Sequence, residues 1–248
     1  MKLVKQNGLG WYESEGLSKL GVKHGFFTSM GGASKSELSS LNVKHDIGDE
    51  TGNVETNRLK IKNQLGVKEL KFAKLVHSDD FKEITETDSK NSDIENVDSL
   101  ITSNLGIAIG LSVADCLPII IGDGKLLAII HAGWRGTVVG ITSKVTAELV
   151  KRGLNTKKAV ATFGPCICRK HFEVKDEAAQ KLRQLAGLKP ETSPYFADLR
   201  ALNIKQVQQN GIKNIDSLDA CSFESSEWFS YRRDHGKTGR NMAAAVIL

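Results

Sequence analysis

The sequence is poor in the residues that build extracellular or segmented proteins. Only four cysteines occur in 248 residues (Cys116, Cys166, Cys168 and Cys221), too few for a disulfide framework in a chain of this length. Four prolines are present, and no low-complexity linker or internal repeat divides the sequence, so one domain spanning 1–248 is expected. No apolar run approaches the length of a bilayer span. Met1 to Asn7 lacks the apolar centre of a secretion signal. Together these absences point to the cytoplasm and away from a membrane partner. The formal net charge of +5 is spread among interspersed acids, which argues against a nucleic-acid partner. The exception is a basic run between Arg232 and Arg240.

What is present suits a globular core, with 40% hydrophobic and 25% charged residues. Ile107 to Val113, Leu117 to Ile121 and Leu126 to Ile130 read as strands, the last two joined as a hairpin through Gly122-Asp123-Gly124. After His131 the period becomes helical, with Val138, Ile141, Val145 and Leu149 on one face and Gly153 as the stop. Helices are also predicted over Val54 to Leu65, Lys175 to Leu185 and Asp198 to Gln209. Further strands are predicted over Ala159 to Phe163, Ile215 to Phe223, Trp228 to Tyr231 and Met242 to Leu248. The polar stretch from Lys71 to Asn96 reads as short strands and loops. Strands and helices do not alternate strictly, so the pattern predicts an α+β fold, with mixed sheets flanked by helices.

The chemistry concentrates at the ends of the hairpin. Cys116 opens one strand and His131 closes the next, so antiparallel pairing would set thiol beside imidazole. Such a pair either binds a borderline-soft metal or acts as a thiolate nucleophile. His77, at the end of a short apolar run, is the best third ligand, and three protein ligands would leave a catalytic position open. By spacing alone, a buried free cysteine with two hydrogen-bonded histidines is the readier explanation. Gly133, Arg135 and Gly136 form a turn into a helix that suits either an anion or a salt bridge. Arg232, Arg233, His235, Lys237 and Arg240 likewise suit an anionic group or an internal salt-bridge network. Cys166-Ile167-Cys168 with His171 is a rival metal cluster, read here as a structural turn after Gly164-Pro165.

Val113-Ala114-Asp115-Cys116-Leu117-Pro118, His131-Ala132-Gly133-Trp134-Arg135-Gly136 and Ser230-Tyr231-Arg232-Arg233-Asp234 together resemble the YfiH family, also called the laccase-domain or multicopper polyphenol oxidase family. Phe26 to Ser34, Asn53 to Arg58, Asp98 to Thr102 and Gly164-Pro165 extend the likeness over nearly the whole chain. The resemblance implies a layered α/β/β/α fold and a metal held by His77, Cys116 and His131, zinc ahead of copper. It also implies phosphorolysis of adenosine, guanosine, inosine and methylthioadenosine, and deamination of adenosine. The expected ligands are therefore a purine nucleoside and phosphate, and the expected assembly a monomer or small homo-oligomer. On this reading Cys116 and His131 are catalytic and Asp115 moves a proton. Arg135 and the helix start near Thr137 hold phosphate, helped by Arg58, Arg232 or Arg233. Competing expectations are a metal-free amidase using Cys116 and His131 that edits peptidoglycan precursors, a phenol oxidase, and a binding module with a closed structural zinc. The sequence departs from the family at Ser29, where Arg is usual, at Leu75 and Ser78 around Val76-His77, and at His171-Phe172 in the later turn.

Overall fold

A computed structural model describes every residue of the chain except 87, 89–91 and 190–193. Seven strands form one mixed sheet in the order β1 (Lys2–Gln6), β2 (Leu9–Glu13), β3 (Val22–Phe27), β15 (Asn241–Ile247), β8 (Ile107–Val113), β4 (Glu69–Ala73) and β6 (Asp93–Ile94). Six form a second, in the order β14 (Asn214–Ser217), β11 (Val160–Phe163), β9 (Leu117–Gly122), β10 (Leu127–Ala132), β7 (Ser99–Thr102) and β5 (Phe81–Ile84). A separate pair, β12 (Glu173–Val174) and β13 (Tyr195–Phe196), supports the helix α5 (Asp176–Leu185). The remaining helices are α1 (Glu15–Lys19), α2 (Thr51–Leu65), α3 (Trp134–Val139), α4 (Ile141–Lys151) and α6 (Leu199–Gln209).

Side-chain alternation sets the layers. Along β15, Ala243, Ala245 and Ile247 join Phe26, Leu111, Leu100, Ile120 and Ile129 in a cluster between the two sheets. Met242, Ala244 and Val246 face the other way, onto Ile61 and Leu65 of α2. On the outer face of the second sheet, Ile119, Ile121, Ala128 and Ile130 pack against Ile141, Val145 and Leu149 of α4 and Val207 of α6. The order is helix, sheet, sheet, helix, as the resemblance implied. Strands covered on both faces must be apolar throughout, which is why β9 and β10 read as unbroken runs rather than alternating ones.

The same alternation aims the chemistry. β9 and β10 are antiparallel, with His131 opposite Pro118 and Ala132 opposite Leu117. Leu127 and Ile129 face the inter-sheet layer, so His131, two residues on, faces it too. Cys116, in register with Ile120, packs against the same cluster. The hairpin therefore brings thiol and imidazole together at one open end of the space between the sheets.

Several boundaries differ from the sequence reading. The helix predicted after His131 is two helices, broken where Gly140 adopts φ 82° and closes α3. Of the strand predicted over Ile215 to Phe223, Ile215 to Ser217 pair within β14 and Cys221 makes a single bridge to Cys166, while Ser222 to Glu224 form a turn. Trp228 to Tyr231 is not a strand. Asn241 takes both the N–H and the carbonyl of Phe229, and Arg233 takes the carbonyl of Trp228, so these groups are lost to a ladder. The polar stretch forms β4, β5, β6 and loops as expected, apart from 87 and 89–91, which lie outside the described residues. Among the described residues no helix is long and apolar enough to cross a membrane.

Candidate metal centre

His77, Cys116 and His131 each offer one ligand atom within 4.8 Å of the others. The two imidazoles meet edge to face, with ring centroids 4.9 Å apart. Three different elements deliver them: the loop after β4, the turn before β9, and β10. Asp98, fully buried just ahead of β7, ties them together. Its carboxylate accepts the Nδ1–H of His131 at 2.7 Å and the backbone N–H groups of Val76, His77 and Ser78 at 3.2, 3.0 and 2.8 Å. Those bonds hold His77 at φ 64°, a left-handed conformation that costs a histidine roughly 1 kcal/mol. Asp115 is held at φ 83° in the same way, with its carbonyl accepting from Ile167 N–H at 3.0 Å. Gly133 has an ordinary φ of −75°, so space and not backbone freedom selects glycine there. A Cβ at Gly133 would stand 3.0 Å from Cys116 Sγ and 3.7 Å from the His77 ring.

The electrostatics follow from this packing. Burial pushes the Cys116 thiol up, but the adjacent His131 and His77 outweigh it and bring it down to about 6. Burial pushes His131 down, but the Cys116 thiolate and Asp98 win and raise it to about 9. Burial also disfavours the Asp98 carboxylate, yet His131 and the loop N–H groups hold it at about 2. Near neutral pH the order is carboxylate, imidazolium, thiolate. With Nδ1 of His131 fixed on Asp98, its Nε2 is left for the centre, the arrangement that orients a metal-ligating histidine. One thiolate and two imidazoles are donors suited to zinc, and no fourth protein donor joins them among the described residues. The set also resembles a blue-copper centre, but no methionine lines the cavity above it to give the weak axial sulfur. His24 and His45 bond elsewhere, to Ser14 N–H and the Glu55 carboxylate, and neither joins the trio.

The trio floors a cavity of about 400 Å³. Trp134, Phe172 and Tyr231 supply aromatic walls, and Lys44, Arg135, Arg232 and Arg240 supply positive charge. Burial and then the neighbouring Arg240 lower the proton affinity of Lys44, as expected for two cations sharing a space that suits an anion.

Of the arginines picked out from sequence, Arg135, Arg232 and Arg240 line this cavity, and Arg58 and Arg233 do not. Arg58 donates to Val43 O at 2.8 Å and Asp93 at 2.7 Å while stacking on Phe72, so its guanidinium is committed outside the cavity. Arg233 spends its donors on Asp234 and on the carbonyls of Ser222, Ser225 and Trp228. Asp115 lines the cavity, but its two oxygens accept from Ser222 Oγ and Arg232 N–H, each at 2.6 Å. It braces the cysteine turn against the arginine loop. Thr137 offers no helix start, because the helix begins at Trp134 and Thr137 N–H already bonds Gly133 O. Cys166 is buried in the core and pushed up to about 12 by burial, whereas Cys168 sits on the following turn with its N–H on Cys221 Sγ. Sequence reasoning missed Asp98, Lys44 and the aromatic walls. Only Asp98 carried a signal, as an acid heading an otherwise apolar strand.

Residues 23–248 match the family described as multi-copper polyphenol oxidoreductase laccase. A purine nucleoside phosphorylase of Corynebacterium glutamicum is 30% identical over 88% of this chain and 92% of that protein. An adenosine deaminase, RL5, from an unknown prokaryotic organism is 33% identical over 83% of this chain and 86% of that protein. The crystal structure of the hypothetical protein YfiH of Bacillus licheniformis superposes with a TM-score of 0.89 at 29% identity, covering 98% of this chain and 97% of that one. With its fold, its hairpin-borne Cys–His pair and these relatives in agreement, the chain belongs to the YfiH-type, laccase-domain family and is an enzyme.

Proposed function

We infer that this enzyme is a zinc-dependent purine nucleoside phosphorylase that also deaminates adenosine. One observation carries the reading: a Cys–His–His trio with no fourth protein donor among the described residues floors a cavity walled by aromatic rings and cations. The residues fit zinc, which His77, Cys116 and His131 would hold. When bound, zinc supplies Lewis acidity that makes an oxygen nucleophile reactive near neutral pH.

The chain's own residues account for the rest. Trp134, Phe172 and Tyr231 offer flat faces to a purine. Arg135, Arg232, Arg240 and Lys44 hold phosphate, so that it meets the ribose C1′ as the bond to the base breaks. Arg58 and Arg233 act as struts outside this grip, and Asp115 positions Cys116 and Arg232 rather than moving a proton. Adenosine, guanosine, inosine and methylthioadenosine are the proposed substrates. A neutral nucleoside alone would not call for four cations, and this favours phosphate as co-substrate. Metal-replete protein given adenosine and phosphate should yield adenine and ribose 1-phosphate, with inosine as the deamination product. Equal product from Cys116→Ala protein would refute the reading.

A further inference from the structure

We propose a second metal site, formed by Cys168, His171 and Glu224, that takes a zinc-like divalent cation and pins the cavity wall. The three side chains each offer a ligand atom within 4.8 Å of the others. They come from two turns of the same design. Cys168 opens a turn closed by Phe172 N–H on Cys168 O at 3.0 Å, and places His171 three residues on. Cys221 opens the facing turn, closed by Ser225 N–H on Cys221 O at 3.2 Å, and places Glu224 three residues on. That spacing brings first and last side chains of a turn to the same side, as in structural zinc sites built from paired short turns.

The turns are locked to each other before any ion arrives. Ser222 N–H donates to Cys166 O at 3.0 Å, and Cys168 N–H donates to Cys221 Sγ at 3.2 Å. The His171 ring stacks on Phe223 at 4.3 Å, and its Nε2 bonds Glu224 at 2.8 Å. A simple His–Glu ion pair would need neither the thiol nor the matched turns. Lys170 also reaches Glu224, at 3.1 Å, but it is highly exposed and can swing away. On binding, Cys168 loses its proton to solvent and His171 ligates as neutral imidazole.

The site has a structural purpose within reach. Arg232 donates to the carbonyls of His171 and Glu173, and Phe172 follows His171 directly into the cavity wall. An ion on this turn would hold Arg232 and Phe172 in place. The proposal does not depend on the reaction catalysed at the trio.

Full-length protein, kept reduced, is equilibrated with excess zinc, desalted, and its metal-to-protein ratio measured. Cys168→Ala and His171→Ala should each lose one zinc relative to wild type while keeping the zinc lost in Cys116→Ala. Glu224→Gln, an exposed and isosteric change that leaves folding intact, should also lower occupancy. Wild-type occupancy in all three variants would overturn the proposal, as would a wild type whose entire zinc content disappears with Cys116→Ala.

Discussion

Two clusters in this molecule contain cysteine and histidine, and their surroundings set them apart. Cys116 faces two imidazoles backed by the buried Asp98, and its thiol is drawn down to about 6 despite burial. Cys168 faces the Cys221 thiol and the Glu224 carboxylate, and burial followed by those partners drives it up to about 11. The first is a thiolate waiting for a cation at the floor of a cavity. The second is a thiol on a surface turn that stays protonated near neutral pH unless an ion binds. The donors are similar, and the charge behind them decides what each can do.

The sharpest way to break this comparison is to exchange the cysteines' fates. Cys116→Ala should reduce nucleoside turnover to background, measured as purine base released, whereas Cys168→Ala should retain most of it. Next in size is Asp98→Asn, which leaves the shape but removes the charge that orients His131. Metal affinity at the trio should fall about 10–100-fold by competition with a chelator, an effect typical of such supporting carboxylates. Gly133→Ala should weaken the metal to a lesser degree, because its methyl would press on Cys116 Sγ.

A pH experiment sharpens the same contrast. In metal-free protein, alkylation of Cys116 should already be fast at pH 7, while Cys168 should stay slow until alkaline pH. Asp98 has a folded value of about 2, below its ordinary carboxylate value of 3.8. It therefore adds stability above the unfolded value, roughly 2 kcal/mol at neutral pH, which is lost as pH falls toward 2. Acid unfolding of wild type against Asp98→Asn reads that difference, which should shrink as the pH is lowered. The smallest effect separates the arginines: Arg240→Ala should raise the KM for phosphate, and Arg58→Ala should lower thermal stability without changing it.

The hairpin ends were legible from sequence because strand periodicity fixes where a strand starts and stops, and antiparallel pairing then brings Cys116 to His131. His77 was legible as the polar residue closing a short apolar run. Asp98 showed only as an acid heading an apolar strand; its burial and its role depend on the His77 loop folding over it. The arginines were misread for a related reason. Guanidiniums in a basic run look alike until the fold shows which carbonyls surround them, and Arg233 is encircled while Arg232 still lines the cavity. Trp228 to Tyr231 had the composition of a strand, but Asn241 and Arg233 had already taken its backbone groups.

The central claim is that the trio is an open, three-ligand metal centre. X-ray absorption at the zinc edge tests it most directly, on Cys168→Ala protein so that only the trio contributes. The spectrum should show a single sulfur at about 2.3 Å with nitrogen and oxygen neighbours at about 2.0 Å, including one exchangeable oxygen. A shell without sulfur, or one closed by four protein donors, would contradict it.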